Sequence, residues 1–293
     1  LDTRFLETLL LVIERGSLAD AARTLHITPA AVSQRIQTLE AEIGHELLQR
    51  TGRTVRPTEQ ASAIIEHSRA ILAQVADLST IAANTEEPSG KLRIGAIHTL
   101  LGGVLPELFS QFFIKFPSIE LNVIPGSSSH IYRLLQEEAL DAAFIVEPPF
   151  ELPKIYSWRK IHSEPLIVLA PPSETSNDPV EILTRLPFIR YDRGQWGGRT
   201  ADAYLTRNNI HPREQLELES LETIAMMVNA GVGASLVPDW TGPWPEGLKI
   251  RKIPLHGPAP SRNVGLLWSS MSVRARLIGR LLQAMDEVSG PAR

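Results

Sequence analysis

No cysteine occurs among the 293 residues, which excludes a disulfide scaffold and any zinc site that needs thiolates, and fits a reducing compartment. Long apolar runs are also missing: none exceeds the length of a strand, and the first residues already belong to an amphipathic helix with Phe5, Leu9 and Val12 in line. Neither a membrane span nor a signal peptide is expected, and the expected location is the cytoplasm. Basic excess is absent too. The formal net charge is -4, so the chain as a whole lacks the basic footprint of a protein whose surface is mostly given to nucleic acid. Catalytic signatures are wanting. There is no GxSxG elbow, HExxH pair, phosphate-binding loop or GxGxxG, and the glycines of VNAGVGASLVP follow a helical segment rather than a strand. No enzyme activity, cofactor or metal is expected.

What is present is enough for about two or three compact domains, with a hydrophobic share of 43% to build their cores. The most specific stretch is SLADAARTLHITPAAVSQRIQTLEAEI, Ser17 to Ile43. Ser17 caps a first helix through Leu25, His26 and Ile27 make a turn, and Thr28 with Pro29 opens a second helix. Val32, Ile36, Leu39 and Ile43 recur at steps of four, three and four, which stacks them on one buried face. The other face offers Thr28, Pro29, Ala30, Ser33, Gln34 and Gln37. Small residues let a backbone approach a major groove, and Gln can make two hydrogen bonds to an adenine edge. A buried helical hairpin with a solvated outer face would read the same in isolation.

The following HELLQRTGRTVRPT reads as a strand anchored by Leu47 and Leu48, a turn at Thr51 and Gly52, and a return strand. Arg50, Arg53 and Arg56 lie on this ribbon without an acid among them, which suits phosphates or a narrow minor groove. Next, Ala61, Ile64, Ser68, Ile71, Val75, Leu78 and Ala82 alternate steps of three and four, with Ile65 and Leu72 widening the seam. That is a heptad stripe on a helix over 58–86 of roughly 40 Å, suited to pairing two copies over 59–86 or to packing along its own domain. NTEEPSG, 84–90, breaks the helix and forms a hinge.

From Lys91 short β-rich runs alternate with helical segments. LRIGAI, IELNVI, DAAFIV, LIVLAP, FIRY, ASLVP and VGLLW are the expected strands, and Val104–Phe116, Ile131–Leu140 and Ser272–Val288 the expected helices. This pattern is α/β with largely parallel sheets and ligand sites at strand carboxyl ends. Those ends nominate His98 and Thr99, then Ser127 and Ser128 after Gly126, then Glu147. In YDRGQWGGR they nominate Tyr191, Arg193 and Trp196, with Arg199 beyond. Hydroxyls, free backbone N–H groups, arginine and an aromatic wall suit a small carboxylate. An acid at Glu147 beside the arginine loop would favour a zwitterion instead. Each residue has a plainer reading: the serines as helix caps, Trp196 as core, Arg193 paired with Asp192, Glu147 neutralising Arg190 or Arg193.

Taken together, the opening FLETLLLVIERGSLADAARTLHITPAAVSQRIQTLEAEIGHELLQRTGRTVRPT, the long helix after it and the KLRIG start of the last portion resemble the LysR-type transcriptional regulators over the whole chain. Ser33 matches the family serine of the recognition helix. Gln34 stands where an arginine is common, Pro29 where a glutamine is frequent, Ala30 where the proline usually is, and Ala61 replaces a glycine early in the linker helix. The resemblance implies an α+β chain in three parts: a winged helix-turn-helix over 1–58, a dimerisation helix and hinge over 59–90, and an effector-binding domain over 91–293. It implies two subdomains in the last part, like periplasmic binding proteins, one from 91–162 with 267–293 and the other from 163–266. The chain then crosses near His162 and Ser163 and returns near Gly265 and Leu266. The implied partners are double-stranded operator DNA and a small-molecule co-inducer, with homodimers, homotetramers and RNA polymerase as further partners. A solute-binding protein of the periplasmic type is the competing reading, and it has no use for the first 90 residues.

Overall fold

The computed structural model describes residues 1–51, 54–82 and 89–289, so most of the expected hinge over 84–90 lies outside the described residues; the chain divides into two compact units, Leu1–Glu86 with Gln136–Ala139 and Glu87–Leu135 with Leu140–Arg293. In the first unit, α1 (Thr3–Arg15) starts at Asp2, whose carboxylate accepts from the Arg4 N–H, and ends at Gly16 in the left-handed region that favours glycine. Ser17 caps α2 (Leu18–Thr24) by accepting from the Asp20 N–H. Thr28 caps α3 (Pro29–Ile43) by accepting from the Ala31 N–H, with Pro29 in the first turn. Leu6, Leu9, Ile36, Leu39 and Leu47 form one core cluster, and Val12, Ala21, Ala22 and Val32 another. The expected face of α3 is therefore the buried one, with Ile43 half-buried at its edge.

Strands β1 (Leu48–Thr51) and β2 (Thr54–Pro57) pair antiparallel as a short ribbon. One backbone bond clips it to the end of α1, the Val55 N–H donating to Gly16 O at 2.9 Å, and another, from the Thr58 N–H to Leu47 O at 2.9 Å, joins its open ends. Helix α4 (Glu59–Ala82) begins with the Ala61 N–H donating to Thr58 Oγ1 and runs 24 residues, about 36 Å. Its apolar stripe is split. Ala61 is fully buried in the unit's own core, with Ile64 and Leu72 packed beside it, whereas Ile71, Val75 and Leu78 are exposed. The continuous seam expected from Ala61 onward is therefore half consumed locally, because its first turns cover α1 and α3.

In the second unit, strands and helices alternate: β3 (Gly90–Ala96), α5 (His98–Gly102), α6 (Leu105–Lys115), β4 (Ile119–Pro125), α7 (Ser128–Gln136), β5 (Ala142–Val146) and β6 (Tyr156–Ala170). Then follow α8 (Pro179–Arg185), β7 (Pro187–Tyr191), α9 (Trp196–Arg207), β8 (Arg213–Leu218), α10 (Leu221–Asn229), β9 (Ser235–Pro238), β10 (Arg251–Pro254), β11 (Ser261–Ser269) and α11 (Ala275–Ser289). One sheet runs β10-β6-β11-β5-β3-β4, with β9 also on β6, and β7 pairs with β8. The expectation of largely parallel sheets is corrected: β3 is parallel to β4 and β5, and β7 to β8, but β11 is antiparallel to β5 and β6, and β6 to β9 and β10.

Strand β6 is the reason for the mixture. Its first part pairs with β11, and its last residues, Leu166 to Ala170, pair with β9 and β10. The two long strands thereby join a first lobe around β3, β4 and β5 to a second around β7, β8, β9 and β10. Their pairing shifts register between Val264 and Gly265, opposite His162 and Lys160. A Cβ at Gly265 would stand 2.3 Å from Arg159 O, so the close crossing at this bulge requires glycine. Among the described residues no helix is long and apolar enough to cross a membrane.

Candidate functional site

Two regions gather polar side chains that the cores do not use. The first is the start of α3. Thr28, Pro29, Ala30, Gln34 and Gln37 are exposed and Ser33 is half-buried, so a helix held rigidly by Val32, Ile36 and Leu39 presents amide and small side chains outward. Arg35 instead turns inward to donate to Thr8 Oγ1 at 3.2 Å. On the ribbon, Arg56 is exposed and registered opposite Gln49, and Arg50 opposite Val55. Arg53 lies outside the described residues. Glu40, which carries no sequence signal beyond its charge, accepts from the Leu47 and Leu48 N–H groups at 2.8 and 3.1 Å and so fixes the base of the ribbon to α3.

The second region is a cavity of about 460 Å³ between the two lobes of the second unit. Every wall comes from the carboxyl end of a strand or the helix start that follows it. His98 and Thr99 follow β3, Ser127 and Ser128 follow β4, Tyr191 ends β7, Trp196 opens α9, and Glu219 to Glu222 lie between β8 and α10. At its floor lies Arg262, only 3% exposed, with Nη2 donating to Thr99 Oγ1 at 3.0 Å and Nε to Glu164 Oε2. Glu164, 1% exposed, also accepts from His162 Nε2 at 3.1 Å and the Thr241 N–H at 3.3 Å. Burial pushes the Glu164 carboxyl up, but His162 and Arg262 outweigh it and hold it below the usual carboxylate range. Burial pushes the adjacent Tyr191 phenol above its ordinary value, against the opposing pull of Arg262.

Six of the eight effector residues nominated by sequence come together on this cavity: His98, Thr99, Ser127, Ser128, Tyr191 and Trp196. Two do not. Arg193 stands apart from the cavity lining, bonded to Glu214 at 2.6 Å and Asp202 at 3.3 Å, partners that β8 and α9 bring to it rather than the neighbouring Asp192. Glu147 is exposed and accepts from Asn263 Nδ2 at 2.6 Å, so it faces neither arginine and supplies no acid to the cavity. Ser127 does serve as a helix cap, accepting from the His130 N–H, while still lining the cavity. Trp196 lies among Tyr132 and Phe150 with ring centroids 5.9 and 5.6 Å away. Arg262, Glu164, Glu219 and Glu222 were not nominated. The signal was an isolated Glu and Arg at the openings of two apolar strands, in EPLIVLAP and SRNVGLLW, charges that need a partner when buried.

Comparison with known proteins matches both regions to one family. Residues 3–62 match the bacterial regulatory helix-turn-helix protein, lysR family, and residues 85–289 the LysR substrate binding domain. A probable hydrogen peroxide-inducible genes activator of Mycobacterium leprae is 27% identical over 94% of this chain and 93% of its own length. The transcriptional regulator CfxR of Cupriavidus necator is 30% identical over 81% of this chain and 75% of its own. Among solved structures, CbnR, a LysR family transcriptional regulator, aligns with a TM-score of 0.72 at 18% identity over 99% of this chain and 100% of that one. CbnR complexed with its target DNA also aligns with a TM-score of 0.72, at 20% identity over 98% and 100% of the two chains. A full-length OxyR from Pseudomonas aeruginosa aligns at 0.67 and 24% identity over 98% and 95%. With the family matched across both the helix-turn-helix head and the portion after the linker helix, the chain belongs to the LysR family of ligand-responsive, DNA-binding transcriptional regulators.

Proposed function

We propose that this regulator reads operator DNA with the exposed start of α3 and the ribbon beside it, and that a small anionic or zwitterionic metabolite in the cleft between the effector lobes controls that binding. The observation that carries the ligand half is the floor of the cleft, where Arg262 and Thr99, both buried, meet beside the buried Ser128. Buried donors lining a cavity favour an anion. On the DNA side, Thr28, Pro29, Ala30, Ser33, Gln34 and Gln37 face the groove, and Arg50, Arg53 and Arg56 supply phosphate or minor-groove contacts.

The working division is 1–58 for the DNA-binding head, 59–90 for the linker helix and hinge, and 91–293 for the effector domain. Within the last, 91–162 with 267–293 form one subdomain and 163–266 the other. Ile71, Val75 and Leu78 of α4 form an exposed apolar stripe suited to a second copy, so the linker helix makes a homodimer, and dimers pair into tetramers. A ligand alters transcription by binding one arrangement of the oligomer better than another.

The peroxide response in the name of the Mycobacterium leprae relative does not transfer by thiol chemistry, because this chain has no cysteine to oxidise. The test is footprinting of the chain on the intergenic DNA beside its own gene with and without candidate carboxylates. Protection that shifts with a ligand, and no longer shifts in Ser128→Ala, supports the reading. Protection of random and promoter DNA alike refutes the operator half.

A further inference from the structure

We infer that the ligand of the cleft is an amino acid by chemical class, with its carboxylate held by the first lobe and its ammonium by the second; this rests on the cleft being the effector site. The two walls carry opposite chemistry. Among the described lining residues of the first lobe there is no carboxylate, whereas those from Tyr191 to Glu222 in the second include two glutamates and no cation; Arg262, on the crossing strand, is already paired with Glu164.

On the first wall the polar groups have been turned into donors. Ser128, 3% exposed, accepts at Oγ from the Val146 N–H at 3.1 Å, and its own proton has no acceptor among the described residues. Thr99 accepts from Arg262 in the same way. His130 Nδ1 faces Arg133 Nη2 at 2.9 Å; since a guanidinium can only donate, Nδ1 accepts and the ring proton sits on Nε2. The charge of Arg262 is already matched by Glu164. This wall therefore offers donors suited to a carboxylate.

On the second wall Glu219 and Glu222 flank Ser220, the cap of α10, and neither makes an ion pair among the described residues. The helix dipole accounts for Glu222 in the first turn. It does not account for Glu219, which lies before the cap, on the cavity, with only a long contact of 3.5 Å from Gln195 Nε2. Trp196 lines the same wall, and two carboxylates without an ion-pair partner among the described residues suit an ammonium. A dicarboxylate or a phosphate ester would satisfy the first wall and be repelled by the second. An amine alone would leave the buried hydroxyls unmet. A cavity of about 460 Å³ accepts a molecule of amino-acid size.

The probes are the twenty standard amino acids and their twenty deaminated carboxylic acids, screened by thermal shift on the full chain and followed by calorimetry on matched pairs. Binders are expected in the amine-bearing half, at least tenfold tighter than their deaminated partners. Glu219→Gln with Glu222→Gln should erase that preference, and Ser128→Ala should weaken both members of a pair alike. Both glutamates have solvent-facing surface, so the double variant keeps its fold, and its melting profile without probe checks this. Equal affinity within pairs, binders confined to the deaminated half, or no binder in either half overturns the inference. In the first two cases continued sensitivity to Ser128→Ala leaves the cleft as the site. Binding indifferent to Ser128→Ala, Thr99→Val and the double glutamine variant alike places the ligand elsewhere and overturns the cleft reading with it.

Discussion

Glu164 and Arg262 are the two residues whose removal should be felt at once in stability and in ligand response. Both are buried, each is the other's counter-charge, and Glu164 also satisfies His162 and Thr241. Glu164→Gln leaves a buried guanidinium without its counter-ion, a loss on the order of 3–5 kcal/mol, readable as a lowered thermal midpoint of the effector unit. The pH dependence has a definite sign. The folded-state pKa is depressed, so the stabilisation is present above the ordinary carboxylate range and is lost as pH falls through the lower folded value. The acid limb of unfolding should be shallower in Glu164→Gln than in the parent, and an unchanged limb would show that the pair does not set it. At the DNA-facing end, Gln34→Ala should cost about 1–3 kcal/mol on a cognate operator and relax preference at one base pair. Anisotropy titrations on cognate and scrambled duplexes check this, and equal losses on the two would remove Gln34 from base reading.

Among the elements, the ribbon and α4 make different demands. Arg56→Ala should lower the slope of binding against salt by about one counter-ion and leave sequence preference intact. Charges placed at Ile71 and Leu78 test the linker helix cleanly, because both side chains are exposed in the single chain and their replacement does not disturb its core. Ile71→Glu with Leu78→Glu should give folded monomers in sedimentation that bind operator poorly; an undisturbed dimer would return α4 to a purely internal role. Helix starts were legible in the sequence because Ser17, Thr28 and Thr58 act within three residues of themselves. Strands β8 and β10 were not. Arg213 to Leu218 is mostly exposed with a polar alternation, and Arg251 to Pro254 is four residues pairing, among the described residues, with β6 alone. Likewise the first half of β6 is polar and half-exposed, so only LIVLAP at its end looked like a strand.

For the molecule as a whole, the family, the helix-turn-helix head and six of the cavity's residues were readable from motifs, strand ends and caps, which are local signals. The ion pair under the cavity was not, since Glu164 and Arg262 are 98 positions apart in sequence and meet only through the crossing of β6 and β11. Arg193 misled for the same reason: its partners Asp202 and Glu214 lie on elements that folding brings alongside. At this scale the lack of cysteine carries its own prediction. Operator binding should be unchanged by hydrogen peroxide at doses that oxidise accessible thiols, measured by mobility shift before and after treatment.

The hydrogen bond from Arg262 to Thr99 gives the effector lobes something like a detent. Arg262 belongs to the crossing strand and is held there by Glu164, whereas Thr99 opens α5 in the first lobe. A swing of the lobes that draws Thr99 away strips a buried guanidinium N–H of its acceptor, at a cost of about 1–3 kcal/mol unless another group takes its place. The angle at which Thr99 meets Arg262 is therefore favoured over those that part them. A molecule arriving at that hydroxyl then acts as a key in a latch, choosing among positions the protein already has.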